Sequence, residues 1–435
     1  MPRSLPRDQL NRFFGIRSRT VALIVVIGFG GGALGAAYLF VLDVLSEHIG
    51  PEQWNDGGQI AVLVVTGVIV SLLVKLLGRT ADVELLVGNI HVPGTTDPGT
   101  SASGPDSGGR LRALIPVSLL CIGAGGTLGP EAPLVTMTGT LASRLARRSG
   151  LNTSDRRVLA ITGMAAGFTV LFGAPLGAAV FALEIPHRRG LEYYEAIVPA
   201  VIGALCGFAV STTFGGFGLE PLWNLPSVNM VDGVDLAWAV VAGVLGAAIG
   251  LTFTLLVGVL RRVTMRVPPS VRPAAGGLVL GTLALVSPGA LTNGEVQIIA
   301  LGSTDPLTAT LLVAGLAKLA AAAVALVTGW RGGFIIPLFF TGYTLGRVAA
   351  DWLGIDHTWM FVAATMVAAN VAVTKTPIGS TLVVTEMSGL TLGPVTIIGA
   401  LTSLVLTSPI GLIDNQRRRF DVYEPMGGET ESSTA

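Results

Sequence analysis

Two short segments rich in glycine and proline occur twice in this chain, at nearly the same distance along it. The first, GGTLGPEAP at 125–133, has its counterpart in GWRGGFIIP at 329–337, and glycine and proline keep the same spacing in both. A second pair, at 175–184 and 377–386, runs from proline through an apolar stretch to glutamate. Because the two pairs are displaced by 204 and 202 residues, the chain is predicted to consist of two related halves.

A third repeated segment indicates how the two halves are oriented. The letters LGAA occur twice, 211 residues apart, each time inside an apolar stretch. Arg17 and Arg19 precede the first stretch, whereas Arg261 and Arg262 follow the second. Because arginine is enriched on the cytoplasmic side of membrane helices, the two helices are predicted to cross in opposite directions. This pattern is typical of an inverted-topology repeat, and a parallel duplication in a receptor or scaffold is the alternative.

The composition places these halves in a membrane. Hydrophobic residues make up 51% of the 435 positions and charged residues 12%, about half the share of an ordinary soluble domain. With 27 basic and 27 acidic residues the chain cannot cover a soluble surface, which excludes a soluble enzyme, a disordered protein and a nucleic-acid binder. We therefore predict an all-α polytopic membrane protein, built as an inverted-topology repeat with broken and re-entrant helices.

Several of the predicted apolar helices are too short for a straight membrane crossing, which needs about 20 residues. Short apolar helices that begin at glycine and proline are predicted to be broken or re-entrant segments, tolerated where protein or a water-filled cavity covers them. The predicted helices are 20–47, 58–78, 112–124, 131–146, 157–172, 175–185, 194–212, 237–262, 273–287, 309–328, 334–348, 358–372, 377–388 and 391–413.

The chain is predicted to divide into two membrane repeats with polar segments around them. A basic cytoplasmic N-terminus is predicted at 1–19, the first repeat at 20–212 and the second, inverted repeat at 237–413. A stretch rich in glycine, proline, serine and threonine at 88–110 is predicted to be a flexible loop within the first repeat. The polar, acidic end at 420–435 is predicted to be a disordered tail.

The repeated breaks are the candidate site. In an inverted repeat, the transport site is expected where interrupted helices of the two halves meet at mid-membrane. Each break leads into an apolar helix, whose N-terminus presents free N–H groups and the positive end of the helix dipole. Two such ends make an anion site without a full positive charge. Glu131 lies in the first break, and its carboxylate is predicted to occupy the anion site as a protonatable gate. A first-turn glutamate that only stabilises its own helix is the alternative.

These segments resemble the motifs of the CLC chloride channels and transporters. GTLGPEAP is similar to the family's G(K/R)EGP motif, GGFIIP to its GxFxP motif, and the two Pro-x-Gly…Glu segments to its proline-started helices. The resemblance covers roughly 17–415, with a divergent bacterial pattern and no CBS domains. It implies a CLC-like fold and a homodimer with one anion pathway per subunit. The expected location is the bacterial inner membrane, with both termini in the cytoplasm.

The resemblance also implies site residues and partners. Glu131 would be the external gating glutamate, beside sites for chloride or another small inorganic anion. The implied anion-binding residues are Gly129, Glu131, Ala132, Gly333, Phe334, Ile335 and Ile336. The expected partners are the anion, the lipid bilayer and a second copy of the chain, with protons as a further candidate. No cofactor, metal ion, nucleic acid or enzymatic activity is expected.

Departures from the family pattern bear on the mechanism. Thr80 is the candidate for the family's serine hydroxyl, and Ile410 falls at the place of its tyrosine. Ile185 stands where proton-exchanging members carry a glutamate, and an isoleucine cannot carry a proton. His187 is a candidate substitute, whereas its arginine neighbours favour a cytoplasmic loop.

The leading hypothesis is therefore a passive, channel-type anion pathway with a glutamate gate, and the alternative is an anion/proton antiporter of the same fold. A membrane-embedded enzyme would need a nucleophile–base pair or a metal site, and the four scattered histidines form no such motif. Lys318 and Lys375 lie in apolar surroundings and are predicted to pair with Glu184 or Glu386.

Overall fold

Apolar helices account for most of the chain in the computed structural model. The structure describes residues 18–78, 80, 107–187, 194–214, 223, 225, 231–302, 304, 306–388, 392–413 and 416. The predicted N-terminal segment up to residue 17, most of the predicted loop at 88–110 and the predicted tail at 420–435 lie outside the described residues.

Fifteen α-helices lie in the described ranges, and these ranges contain no β-strand beyond one isolated bridge. In chain order they are α1 (Ser18–Ile49), α2 (Asp56–Leu77), α3 (Ser107–Gly123), α4 (Glu131–Arg148), α5 (Thr153–Phe172), α6 (Pro175–Glu184), α7 (Ile197–Phe214), α8 (Gly233–Thr264), α9 (Arg272–Val286), α10 (Glu295–Gly302), α11 (Thr308–Thr328), α12 (Ile335–Leu353), α13 (Thr358–Thr374), α14 (Pro377–Ser388) and α15 (Gly393–Thr407).

The helices form an inner and an outer set. The inner helices α5 and α13 are buried on all sides, over Val158–Phe172 and Met360–Thr374, which explains why their apolar residues show no helical periodicity. Outer helices expose large apolar side chains, such as Phe40 and Val405. Five helical segments are long and apolar enough to cross a membrane: Thr20–Gln53, Asp56–Leu77, Tyr194–Phe214, Gly233–Thr264 and Thr308–Thr328. This arrangement is that of a multi-pass membrane protein.

The breaks of the first half recur in the second. In the first half, α5 is followed by Gly173 with φ 62°, and α6 begins with Pro175. In the second, α13 is followed by Lys375 with φ 63°, and α14 begins with Pro377. The left-handed residue therefore lies two positions before the proline in both halves. Proline cannot continue the preceding helix, but it fits the first turn of the next one.

The counterpart helices α6 and α14 run antiparallel. The carboxylate of Glu184, the last residue of α6, accepts hydrogen bonds from the first turn of α14. Conversely, Glu386 near the end of α14 accepts one from Gly177 in the first turn of α6. Two counterpart helices that meet head to tail in both directions are what an inverted repeat requires.

The structure adds one helix to the predicted set and corrects the end of another. The short helix α10 is absent from the predicted set, because its eight residues follow a turn at Asn293 and Gly294 and carry little periodic signal. The last predicted helix, 391–413, ends at Thr407 instead. Pro409 follows two residues later, where it terminates a helix because it has no N–H to donate.

Candidate functional site

The two repeated breaks meet in the structure. The N–H of Gly129 donates to the carbonyl of Gly333 at 2.8 Å, and the N–H of Gly333 donates back to the carbonyl of Gly129 at 2.6 Å. This reciprocal pair is an antiparallel bridge, of the kind two strands form, but it stands alone. It fixes the N-termini of α4 and α12 next to each other, so both present free backbone N–H groups to the same space.

The carboxylate of Glu131 binds the helix end of the other half. Its Oε1 accepts a hydrogen bond from the N–H of Ile336 in the first turn of α12 at 2.6 Å. Glu131 is 1% exposed, and its Oε2 has no hydrogen-bond partner among the described residues. An exposed helix N-terminus is a ready-made anion site, and here a carboxylate of the same chain occupies it.

Glycine is required where the chain passes this carboxylate. A Cβ atom built at Gly333 would lie 2.6 Å from Oε2 of Glu131, and one built at Gly129 would overlap the same oxygen. Real Cβ atoms do not approach an oxygen so closely, so any larger residue would displace the carboxylate or the bridge. The glycines of both breaks therefore provide the room that the Glu131 side chain fills.

A cavity of about 180 Å³ adjoins Glu131. The first turns of the two helices contribute Ala132 and Ile335 to its lining, together with Gly333 and Phe334 from the second break. Beyond these helix ends it is lined by the side chains of α4 and by the chain before α12. Its lining also includes Arg261 near the exposed end of α8, so the cavity leads from the helix ends toward that end of the bundle.

The structure brings most of the predicted anion-binding residues together, but not all. Gly129 and Gly333 form the bridge, the N–H of Ile336 binds Glu131, and the remaining predicted residues line the cavity. Thr80 is buried and Ile410 is 39% exposed, and neither is among the described residues that line this cavity. The predicted substitutes for the family's serine and tyrosine are therefore not part of the lining of this cavity.

Two polar residues at the cavity are missed by reasoning from the sequence. Thr136, one turn and a half into α4, lines the cavity and is 1% exposed, and its hydroxyl has no hydrogen-bond partner in the described part of the chain. Arg331 lies inside the second break and also lines the cavity. Its presence in GWRGGFIIP is a signal, because a full positive charge within a membrane break is expensive.

Ile185 lines the same cavity, at the position where the family resemblance placed a proton-carrying glutamate. The side-chain amide of Gln416 donates to the carbonyls of Ile185 and Thr374, which ties the end of the described chain to this lining. His187 is 1% exposed, and its Nδ1 lies 3.0 Å from the carbonyl of Leu183. His187 therefore packs against the end of α6, and the residues of the predicted cytoplasmic loop that follow it lie outside the described part of the chain.

The second pair of helix ends binds two further glutamates. Oε2 of Glu184 accepts from the N–H of Gly379 at 2.7 Å, and Oε1 accepts from Ile378 at 3.2 Å. Oε1 of Glu386 accepts from Gly177 at 3.0 Å. Each carboxylate thus caps the helix that carries the other, with favourable placement at the positive end of a helix dipole.

The predicted pairing of lysines with these glutamates is wrong. The ammonium of Lys318 donates instead to the carbonyls of Leu291 and Thr292, at 2.6 and 2.7 Å. That of Lys375 donates to the carbonyl of Ala372 and to the carbonyl and hydroxyl of Thr407. Carbonyl groups left unpaired at helix ends and turns satisfy the ammonium groups.

Comparisons with known proteins agree with this architecture. A family model described as "Voltage gated chloride channel" matches residues 106–408. A chloride/fluoride channel protein of Pseudomonas syringae pv. tomato is 27% identical over 416 residues, which cover 92% of this chain and 86% of that protein. A voltage-gated ClC-type chloride channel, ClcB, of Escherichia coli is 27% identical over 282 residues, which cover 62% of this chain and 66% of that protein.

Solved structures show the same fold. A CLC-type fluoride/proton antiporter superposes with a TM-score of 0.78 at 23% identity, covering 92% of this chain and 98% of the other. A slow cyanobacterial Cl⁻/H⁺ antiporter also superposes with a TM-score of 0.78, at 18% identity, covering 91% of this chain and 95% of the other. The inverted repeat with broken helices is therefore the architecture that these transporters share.

Proposed function

This chain belongs to the voltage-gated chloride channel family, whose model matches most of its length, and we propose that it conducts a small inorganic anion through a passive, channel-type pathway gated by Glu131. The substrate class is chloride or another halide. The relatives it resembles are named for chloride or fluoride, and two of the solved structures are anion/proton antiporters. Anion transport is thus the activity common to the family.

One observation supports the proposal that Glu131 is the gate. The Glu131 carboxylate accepts the N–H of Ile336, so it binds the helix end where a transported anion would bind. While it is charged, the carboxylate competes with the anion as a tethered ligand. Protonation removes that charge and weakens its attraction to the positive helix end. The side chain then leaves, and an anion takes its place on the N–H groups of α4 and α12.

The helix ends suit transport because they can bind an anion and release it again. A helix N-terminus offers roughly half a positive charge, spread over several N–H groups. An anion there exchanges a few hydrogen bonds with water for a few with the backbone, and it can leave again. The bridge between Gly129 and Gly333 holds both ends in place. The site therefore needs no rearrangement of the backbone when the ion arrives.

Ile185 favours the passive form of this proposal. It lines the cavity at the position that would carry the proton-exchanging glutamate, and it has no group to titrate. The second candidate is an anion/proton antiporter, and the presence of His187 two residues from Ile185, against the end of α6, favours it. Histidine is the side chain whose ordinary pKa lies closest to neutral pH.

Further features of the family complete the proposal. We propose that the repeats span 20–212 and 237–413, that the protein is a homodimer with one pathway per subunit, and that it lies in a bacterial inner membrane. We also propose that both termini lie in the cytoplasm. The arginines before α1 support this for the N-terminus, and those at the ends of α4 and α8 support a cytoplasmic location for these two helix ends.

Reconstituted anion flux with simultaneous pH recording tests the proposal. Liposomes loaded with chloride, fluoride or nitrate are opened to an anion gradient, and the external pH is followed together with anion efflux. The passive pathway predicts efflux with no stoichiometric proton movement. Protons that move in a fixed ratio to the anion would establish the antiporter instead. Protein that carries none of these anions would contradict anion transport itself.

A further inference from the structure

Arg331 is an arginine within an apolar bundle. Its side chain makes no hydrogen bond and no ion pair with any described residue, and its Nε is buried. An arginine side chain stays charged at physiological pH, and charged groups within a membrane protein are normally paired. Glu131 lines the same cavity, yet no ion pair joins these two described residues, because Glu131 binds the helix end instead.

A second unsatisfied donor lies on the same cavity. The hydroxyl of Thr136 is buried in α4, and no described residue forms a hydrogen bond with it. Threonine hydroxyls within helices usually donate to the carbonyl four residues earlier, as the hydroxyl of Thr138 does to Leu134 at 2.9 Å. A buried hydroxyl that forgoes this bond and lines a cavity is available for another acceptor.

We propose that Arg331 and Thr136 form an additional anion site in this cavity, distinct from the helix-end site that Glu131 occupies. The site takes a small monovalent inorganic anion, whose charge balances the guanidinium and whose lone pairs accept from the guanidinium and the threonine hydroxyl. This inference rests on the proposed anion transport and adds ligands to it. It also supplies side-chain donors in a cavity that Thr80 does not line and to which Ile410 could contribute none.

The two donors suit a transported ion in different ways. The guanidinium is weakly hydrated and presents several N–H groups in a fixed plane, so it attracts an anion without enclosing it. The hydroxyl adds one directed hydrogen bond on the α4 side. The cavity volume of about 180 Å³ holds a halide or nitrate together with several water molecules, so the ion need not lose all its hydration. An anion held here lies in the same cavity that Glu131 lines.

Direct binding tests the site without relying on transport. Calorimetric titration of the purified, detergent-solubilised protein with bromide and with nitrate is compared between wild type, Arg331→Gln and Thr136→Val. Arg331→Gln is expected to weaken binding about tenfold, equivalent to about 1.4 kcal/mol, and Thr136→Val about threefold. The matched controls are Arg262→Gln, an equal loss of charge at an exposed position outside the cavity, and Thr138→Val, whose hydroxyl is satisfied within its helix.

The outcomes separate this inference from the proposed function. If the cavity variants lose binding and the controls do not, the site stands, whether or not the protein carries anions in liposomes. Equal binding by wild type and Arg331→Gln would overturn the site while leaving transport through the helix ends intact. Equal weakening by Arg331→Gln and Arg262→Gln would also overturn it, because the effect would then be one of overall charge.

Discussion

Glutamates meet helix N-termini at two places in this protein, and the two places differ in symmetry. At α6 and α14, Glu184 and Glu386 each bind the helix that carries the other, so both halves contribute the same group. At α4 and α12 only the first half contributes a carboxylate. The position that matches Glu131 in the second half is Ile335, which has no group to bind a helix end.

The difference in symmetry shows how one pair of helix ends in a duplicated chain can be structural while the other stays available to a ligand. In the reciprocal pair, both oxygens of Glu184 accept hydrogen bonds from backbone N–H groups. A buried carboxylate that is fully hydrogen-bonded in this way holds two helices together and is not available to another ligand. Glu131 has one oxygen bound and one without a partner among the described residues. A site built by both halves but occupied by only one side chain leaves free N–H groups for a second ligand.

The largest effect is expected from a substitution that breaks the reciprocal pair of Glu184 and Glu386. Glu184→Ala leaves the buried N–H group of Gly379 and the partly buried N–H group of Ile378 without acceptors and should destabilise the protein by about 3 kcal/mol. Thermal unfolding in detergent measures the loss as a lower midpoint. Glu386→Ala is the matched variant and should cost less, because that residue is less buried and only its Oε1 has a hydrogen bond of this kind. Equal midpoints for wild type and Glu184→Ala would show that the pair is not a structural tie.

The next effect concerns the single carboxylate. Glu131→Gln keeps the shape of the side chain but removes its charge, so the competitor binds the helix end less tightly at every pH. Anion flux should persist, rise about tenfold at neutral pH and lose its dependence on pH, whereas wild-type flux should increase as pH falls. Liposome flux between pH 5 and pH 8 measures both. A variant whose flux still follows pH as wild type does would remove Glu131 from gating.

A smaller effect is expected when the missing carboxylate is added. Ile335→Glu places an acid at the matching position of the second half, within the first turn of α12. Because the new carboxylate also competes for the helix ends, flux should fall about fivefold relative to wild type and recover at low pH. Ile335→Leu is the control for packing and should conduct normally. Identical flux from the glutamate and leucine variants would contradict the idea that asymmetry keeps the site open.

The smallest effect concerns His357, which lies away from both sets of helix ends, and it is a pH dependence of protein stability. His357, just before α13, bonds to the carboxylate of Asp235 in α8 at 2.7 Å, and this bond raises the pKa of His357 above its ordinary value. Its contribution to stability is therefore complete below the ordinary histidine pKa and is lost as pH rises through the folded-state value. The unfolding midpoint should fall slightly from pH 6 to pH 9 and do so less in His357→Asn. A pH dependence of stability that survives this substitution would belong to another group.

The breaks can be read from the sequence because glycine and proline act locally. Proline is favoured in the first turn of a helix, where Pro133, Pro175 and Pro377 lie, and a glycine shortly before or a left-handed residue two positions before marks each of these breaks. Pro116, inside α3, shows that a proline without such a neighbour does not mark a break. Repetition and the arginine pattern then indicate the inverted arrangement. The proposed gate position of Glu131 follows from its place in the first break.

Other features depend on partners that the sequence does not display. The glutamates of α6 and α14 are expected from the sequence to bind lysines, but they bind backbone N–H groups. Because every residue except proline has such a group, the sequence does not indicate which ones will bind a carboxylate. Thr136 and Arg331 are separated by almost the whole distance between the repeats, yet both line one cavity beside the paired glycines. A cavity shared by distant segments is a property of packing, and local patterns do not predict it.

The bridge between Gly129 and Gly333 also sets an order for making the protein. The two residues are 204 positions apart, which corresponds to about 10 to 40 s of synthesis at ordinary rates. During that interval the first half lies in the membrane with the N–H and carbonyl of Gly129 unpaired and the Glu131 carboxylate without its helix end. Assembly of the site is thus a late event in biogenesis, because a chain truncated before the second break would lack the partners of Gly129 and Glu131.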